Sequence, residues 1–295
     1  MSLLANKNII LLGVGNMAMA YAKVLKSLNV NVSCAVGRSD AGAQHFFAQT
    51  GIETFAGGIE VLKSIDRIKR NIQYAIVAVP VEELANVAKG LVDYGIPNIL
   101  LEKPGGVNYS DIKSLSDCAR FAQARVSVAY NRRFFASVIK AKEILERDGG
   151  VRSFSFEFTE PSDRIEKLKH NDDIKQHWLL ANSSHVIDLA FFLGGNPVEL
   201  VSFIEGNFYW HWKGSSFVGG GRCENGELFS YQANWDAPGR WGVEIMSKNF
   251  RCILRPLEEL FIQERNSYEI KKCDIDDSLD KEFKPGLYLQ TKAFL

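Results

Sequence analysis

The sequence predicts an α/β protein in two parts: an N-terminal doubly wound parallel sheet over residues 1–129, and a C-terminal α/β domain over 130–295 carrying a mostly antiparallel open sheet. Three observations predict it. From Asn8 to Ala129 short apolar runs alternate with helical patterns, as in β-α-β units around a parallel sheet. A glycine turn, Gly13-x-Gly15-x-x-Ala18, stands between the first apolar run and the first helical stretch. Beyond Arg147 the pattern becomes alternating apolar and polar residues divided by turns such as Glu224-Asn225-Gly226 and Ala237-Pro238-Gly239.

In chain order, the apolar runs predict strands over 8–12, 31–36, 74–79, 98–101 and 125–129, and the periodic stretches between them predict helices over 16–28, 41–50, 82–93 and 110–122. A helix over 134–147 leads into the second domain. Strands are predicted there over 153–158, 200–210, 228–235, 243–246, 252–254 and 260–263. One helix, 184–193, interrupts them; it is apolar on nearly all sides and stopped by Gly194-Gly195, which predicts burial. Residues 290–295 read as the opening of an amphipathic helix with no stop signal.

The 295 residues are enough for roughly two domains, each with its own core. Lys plus Arg equal Asp plus Glu at 35 each, so no whole-chain field draws the protein to nucleic acid or an anionic membrane, and its ligand must be recognised locally. The five cysteines, Cys34, Cys118, Cys223, Cys252 and Cys273, are scattered and lack CxxC spacing, which argues against a disulfide framework and against a metal site. A reducing cytoplasm is the expected location, and no apolar stretch reaches the roughly 18 residues that span a bilayer.

The glycine turn has a physical reading. Gly13 permits the tight turn, Gly15 lets backbone approach a pyrophosphate, and Ala18 lets the helix pack on the strand, while the helix start at Asn16 and Met17 offers N–H groups and a positive dipole end. Such a site usually places a carboxylate at the end of the second strand to hold a ribose 2'-hydroxyl. Here that place holds Gly37-Arg38-Ser39, so a 2'-phosphate meets no repulsion, and Arg38 with Ser39 can bond to it. NADP is therefore expected ahead of NAD, with Asp40 the residue that would favour NAD by curling back onto the ribose.

At the end of the run Ile99-Leu100-Leu101 comes Glu102-Lys103-Pro104. A lysine before proline is pushed into extended geometry, so its side chain leaves the strand end in a defined direction, and in a parallel sheet the carboxyl ends of strands are where ligands sit. This turn, the glycine turn, Val77-Ala78-Val79-Pro80, Asn131-Arg132-Arg133-Phe134 and Ser184-His185-Val186-Ile187-Asp188-Leu189 occur in an order that resembles the glucose-fructose oxidoreductase, inositol dehydrogenase and rhizopine catabolism family, Gfo/Idh/MocA. The resemblance implies a Rossmann domain, a nicotinamide cofactor held by residues that include Val79, Pro80, Glu102 and Lys103, and a sugar, cyclitol or nucleotide-sugar substrate in a cleft between domains. It also implies an open sheet that makes a homodimer or homotetramer. Lys103 would be the catalytic lysine, its bond to Pro104 often cis, and His185 the histidine of the substrate-side helix.

The family commonly carries an aspartate four residues before that histidine, where this chain has Ala181 followed by Asn182. Either Asn182 contacts substrate instead, or the relay is reduced to Lys103 and His185, or hydride transfer has been lost and a nucleotide-holding scaffold or sensor remains. Moving a hydride to or from a sugar carbon requires a proton to move at the attached oxygen, and Lys103 is the first choice for it. With Ser183 as N-cap, His185 falls in the first turn of its helix, where the positive end favours neutral imidazole, and Asp188 on the same face can orient the ring or simply pair with it. Asn131 and Arg132 are expected at the substrate, together with His177, Trp178 and Asn182 just ahead of the histidine helix. An arginine here can grip a diphosphate or carboxylate, or make an interdomain salt bridge. Phe208-Tyr209-Trp210-His211-Trp212, read as a strand with one core and one interface face, is assigned to oligomerisation ahead of substrate binding.

Overall fold

Runs of aliphatic residues with no polar interruption become strands covered on both faces, and the first unit is built from them. The computed structural model describes residues 7–65 and 72–295, and the chain divides into two units, 1–129 with 287–295, and 130–286. The first unit runs β1 (Asn8–Leu12), α1 (Asn16–Ser27), β2 (Asn31–Val36), α2 (Asp40–Thr50), β3 (Thr54–Phe55), β4 (Tyr74–Val77), α3 (Leu84–Asp93), β5 (Asn98–Glu102), α4 (Tyr109–Phe121) and β6 (Arg125–Ala129). Its strands lie side by side in the order β3-β2-β1-β4-β5-β6, all parallel. Ile10, Leu12, Val36, Val77, Ile99 and Leu101 fill one core layer against α3 and α4.

Turn chemistry explains where these helices begin and end. Ser39 accepts the Gly42 N–H at 3.3 Å to start α2, Asn108 accepts the Asp111 N–H at 3.0 Å to start α4, and left-handed Gly51 stops α2. The chain order reverses between β1 and β4, so helices lead away on opposite faces and a crevice opens at the carboxyl ends of these two strands.

The second unit contains α5 (Ala136–Arg147), β7 (Ser153–Glu157), α6 (Ser162–Glu166), α7 (Asp172–Gln176), a π-helical turn at Leu179–Ser183 and α8 (Ser184–Gly194). Then come β8 (Pro197–Glu205), β9 (Ser216–Cys223), β10 (Leu228–Asn234), β11 (Gly242–Met246), β12 (Phe250–Leu254), β13 (Phe261–Glu264), β14 (Ile270–Lys272) and α9 (Ser278–Glu282). The eight strands run β14-β13-β12-β11-β7-β10-β9-β8, with β7 and β10 the parallel pair. Alternation puts Phe154, Phe156 and Phe229 on one face, where Phe191 of α8 meets all three edge-on. Gly194 closes this contact: a Cβ there would stand 2.2 Å from the Phe154 ring. Beyond β9 the edge strand β8 is exposed along its whole length, with Val201 at 63% and Phe203 at 69% exposure.

Several expectations are corrected. The strand predicted over 200–210 starts at Pro197 and ends at Glu205, and the aromatic run is a tight turn in which Phe208 and His211 exchange backbone bonds at 3.0 Å. Trp210 turns inward onto Trp235, whereas Tyr209 and Trp212 face solvent. β9 escaped sequence reading because Gly219-Gly220-Gly221 carries no alternation. Those glycines are required by close packing, since a Cβ at Gly221 would stand 1.9 Å from the Glu199 carbonyl oxygen. The short β3 and β14 also escaped it. Last, α10 (Leu287–Phe294) belongs to the first unit, where Gln290, Thr291 and Phe294 are buried.

Candidate functional site

The glycine turn after β1 has the geometry its composition implies. Gly13 sits at φ +110°, and a Cβ on it would stand 2.2 Å from the Ala78 carbonyl oxygen, so only glycine fits between β1 and the end of β4. Its N–H bonds the Val36 carbonyl at 2.8 Å, and the Ala78 N–H bonds that of Leu12 at 2.7 Å, tying the ends of β1, β2 and β4 together. A Cβ at Gly15 would meet nothing within 4 Å, so the backbone there is open to a ligand. The first turn of α1, with Asn16 and Met17, has no side-chain cap and no acidic residue. An open glycine ahead of an uncapped helix end fits the diphosphate of a dinucleotide.

Around this turn stand the other residues expected at the cofactor. Val79 and Pro80 follow β4, Pro80 opening a short 3₁₀ turn. Arg38 and Ser39 follow Val36 and Gly37 at the end of β2, with the Ser39 hydroxyl engaged as the cap of α2 and Asp40 inside that helix as its first residue. Glu102 ends β5, beside β4, and Lys103 comes next, joined to Pro104 by a cis peptide bond. Sequence reading missed what holds Glu102: the hydroxyl of Tyr21 on α1 donates to its carboxylate at 2.8 Å, and Gln290 of α10 donates to that hydroxyl at 3.1 Å. Burial first, and the Glu102 carboxylate second, push the Tyr21 hydroxyl well above its ordinary pKa, so it stays a donor.

In the second unit three of the expected substrate residues gather at a group that sequence reading also missed, Glu160. It lies beyond the end of β7 and is 5% exposed. Asn182 donates to its two oxygens at 3.0 and 3.3 Å, and Ser183 donates at 2.7 Å. The Asn182 and Ser183 bonds, with the nearby indoles of Trp178 and Trp241, hold the carboxyl's pKa down against burial, which raises it on balance; Trp178 Nε1 itself is buried without a hydrogen-bond partner. The π-helical turn brings Asn182 and Ser183 to the same carboxylate, adjacent positions that an α-helix would splay. Arg132 belongs to this group: its guanidinium carbon lies 4.9 Å from the Trp241 ring centre and 5.9 Å from that of Phe135, and Glu160 acts on it through space.

His185, 7% exposed, is flanked by Tyr130 at 5.9 Å and Trp241 at 6.2 Å between ring centres. Asp188 does not orient it, because Arg133 takes both Asp188 oxygens in a two-pronged pair. Ser183 does not cap α8 either, since its hydroxyl is spent on Glu160. The remaining two expected residues lie elsewhere. Asn131 donates to the Pro285 carbonyl at 2.9 Å, and the His177 ring bonds the Asp173 carbonyl at 2.9 Å, one turn back in the chain. Among the described residues no group of His, Cys, Asp and Glu is arranged to hold a metal ion, and no helix is long and apolar enough to cross a membrane.

Residues 7–130 match the model of Gfo/Idh/MocA, described as an oxidoreductase family with an NAD-binding Rossmann fold. No curated protein sequence matches the chain. Solved structures that resemble it include UDP-N-acetylglucosamine 3-dehydrogenase from Acidithiobacillus ferrooxidans, at 15% identity over 97% of this chain and 87% of that one, with a TM-score of 0.73. An oxidoreductase from Agrobacterium radiobacter in complex with NAD+, L-tartaric acid and magnesium is 16% identical over 98% and 85%, with a TM-score of 0.77. Levoglucosan dehydrogenase in complex with NADH is 16% identical over 98% and 88%, with a TM-score of 0.77. At such identities the likeness is one of fold. With a parallel sheet in the order 3-2-1-4-5-6 and its glycine turn, residues 7–130 have a Rossmann fold and are similar to the NAD-binding Rossmann fold of the Gfo/Idh/MocA oxidoreductase family.

Proposed function

We propose that the protein is a nicotinamide-dependent oxidoreductase that moves a hydride between the cofactor and a carbon of a sugar, cyclitol or nucleotide sugar. The observation that carries this reading is the sequence of strand ends in the first unit: the open Gly15 turn after β1, the Val79-Pro80 segment after its neighbour β4, and Lys103 after the next strand, β5. The names of two structures of like fold, dehydrogenases of UDP-N-acetylglucosamine and of levoglucosan, support the substrate class.

When bound, the nicotinamide supplies or takes the hydride. Lys103 exchanges the proton at the reacting oxygen, and Tyr21 serves it indirectly by keeping the Glu102 carboxylate engaged at 2.8 Å. His185, on the second unit, is assigned as a second acid–base group, with Asn182 and Trp178 contacting substrate. NADP is the preferred cofactor in this reading and NAD the alternative, because Arg38 is free to reach a 2'-phosphate at the exposed start of α2 and no carboxylate ends β2. The exposed apolar edge of the second unit's sheet supports a homodimer or homotetramer.

Replacement of Lys103 by Ala is expected to lower turnover by about a hundredfold or more, the low end for general acid–base groups, while cofactor titration stays unchanged. The ratio of kcat/KM with NADPH to that with NADH is expected to fall in Arg38→Ala. Near-normal turnover in the first variant removes the lysine from the chemistry, and an unchanged ratio in the second removes the NADP assignment. Cofactor binding with no label transfer from deuterated NADPH to any carbonyl leaves a nucleotide-holding sensor.

A further inference from the structure

Arg132 is a cation whose charge is not paired among the described residues. Its neighbour Arg133 makes a two-pronged bond to Asp188, but the Arg132 guanidinium has no hydrogen bond and no ion pair with any described residue. Its guanidinium carbon lies instead over aromatic rings, Trp241 at 4.9 Å and Phe135 at 5.9 Å, contacts that leave its N–H fork unspent. The nearby acids do not fill the fork. Glu160 is taken up by Asn182 and Ser183, and it and exposed Glu258 act on Arg132 only through space. Removal from water is the largest influence on the guanidinium and brings its pKa down to about 10, the signature of a charge short of a partner.

Buried charges are paired in folded proteins, and a rigid planar fork matches the two oxygens of a carboxylate or phosphate. Resting on the reading of Arg132 and Asn182 as substrate residues, we propose that Arg132 is the specificity-determining group of the substrate site and that the substrate carries an anionic group, a carboxylate or a phosphate, which this guanidinium grips. Asn182, bonded to the Glu160 carboxylate that acts on Arg132, keeps its amide oxygen uncommitted among the described residues. Because its NH2 group is committed to Glu160, it acts there as an acceptor for a hydroxyl or N–H of the same molecule.

The test is calorimetric titration of the full chain, with and without NADP, against four sets of ligands. These are neutral (glucose, myo-inositol, levoglucosan), carboxylate (glucuronate, galacturonate), phosphomonoester (glucose 6-phosphate) and diphosphate (UDP-N-acetylglucosamine). One anionic set is expected to bind about tenfold or more tighter than every neutral member, as a charge-assisted bond of ~1.5–3 kcal/mol implies, and which set it is tells carboxylate from phosphate. Arg132→Met, which keeps the stack on Trp241, is expected to drop that set to the neutral level. Arg132→Lys, which keeps the charge without the fork, is expected to fall between. Neutral and anionic ligands binding alike, no anionic ligand binding, or a preference that survives in Arg132→Met would each overturn the proposal. Tight anion binding without hydride transfer defeats the redox reading and leaves this one standing. Turnover of neutral sugars that ignores Arg132 does the reverse.

Discussion

Glu160 shows how a single buried group organises its surroundings. Its carboxylate receives Asn182 and Ser183, so truncation strands two donors at once. Glu160→Ala is expected to cost about 1–3 kcal/mol for each donor left dry, read as a lower denaturant midpoint. A midpoint unchanged from the wild type would show that water replaces the carboxylate freely. At this scale the sequence was informative about backbone and less so about partnership. Gly13 and Gly15 announce their roles because the constraint is local: one needs a positive φ and the other needs bare space. The partners of Arg133, Tyr21 and Asn182 lie 55, 81 and 22 residues away respectively, and nothing in the spacing of a polar residue names a partner that distant. Hence Asp188 was read with His185, three positions away, although the structure pairs it with Arg133.

Elements were legible where hydrophobic period and turn chemistry agreed. Helices α1 to α4 and five of the parallel strands follow from that agreement, whereas β9 with its three successive glycines and the two-residue β3 give no period to read. Junctions between elements carry a testable electrostatic contribution. Asp148, just past α5, accepts from the Ser247 hydroxyl and the Asn249 N–H at 2.6 Å each, clamping the hairpin between β11 and β12. The Ser247 bond, then that from Asn249, hold its carboxyl down to about 2. A carboxyl lowered on folding stabilises the fold above its ordinary pKa of 3.8, and that stabilisation fades as pH falls toward 2. The melting-temperature deficit of Asp148→Asn is therefore expected to be level from pH 7 to about 5 and to shrink below about pH 4. A deficit that ignores pH would assign the effect to geometry alone. Packing is testable too: with Phe154 locked among Phe156, Phe191 and Phe229, Gly194→Ala is expected to cost about 1–3 kcal/mol of stability by overpacking.

For the whole molecule, the change of pattern near residue 150 was enough to separate two architectures, and the first is the one that the family model resembles over residues 7–130. What composition does not convey is the apolar edge of the second sheet, where Leu200, Val201, Phe203 and Ile204 are each more than half exposed. A patch of that kind on a chain of zero formal net charge favours self-association. Light scattering is expected to give a dimer or tetramer for the wild type and a smaller species for Phe203→Asp; a wild-type monomer would end the oligomer proposal. The return of α10 to the first unit bears on how the chain is made. Tyr21 and Tyr74 wait for Gln290 and Phe294, so a nascent polypeptide leaving the ribosome cannot finish this first unit until the intervening second unit has been made. The usual vectorial order, first unit first, is thereby suspended while residues 130–286 emerge.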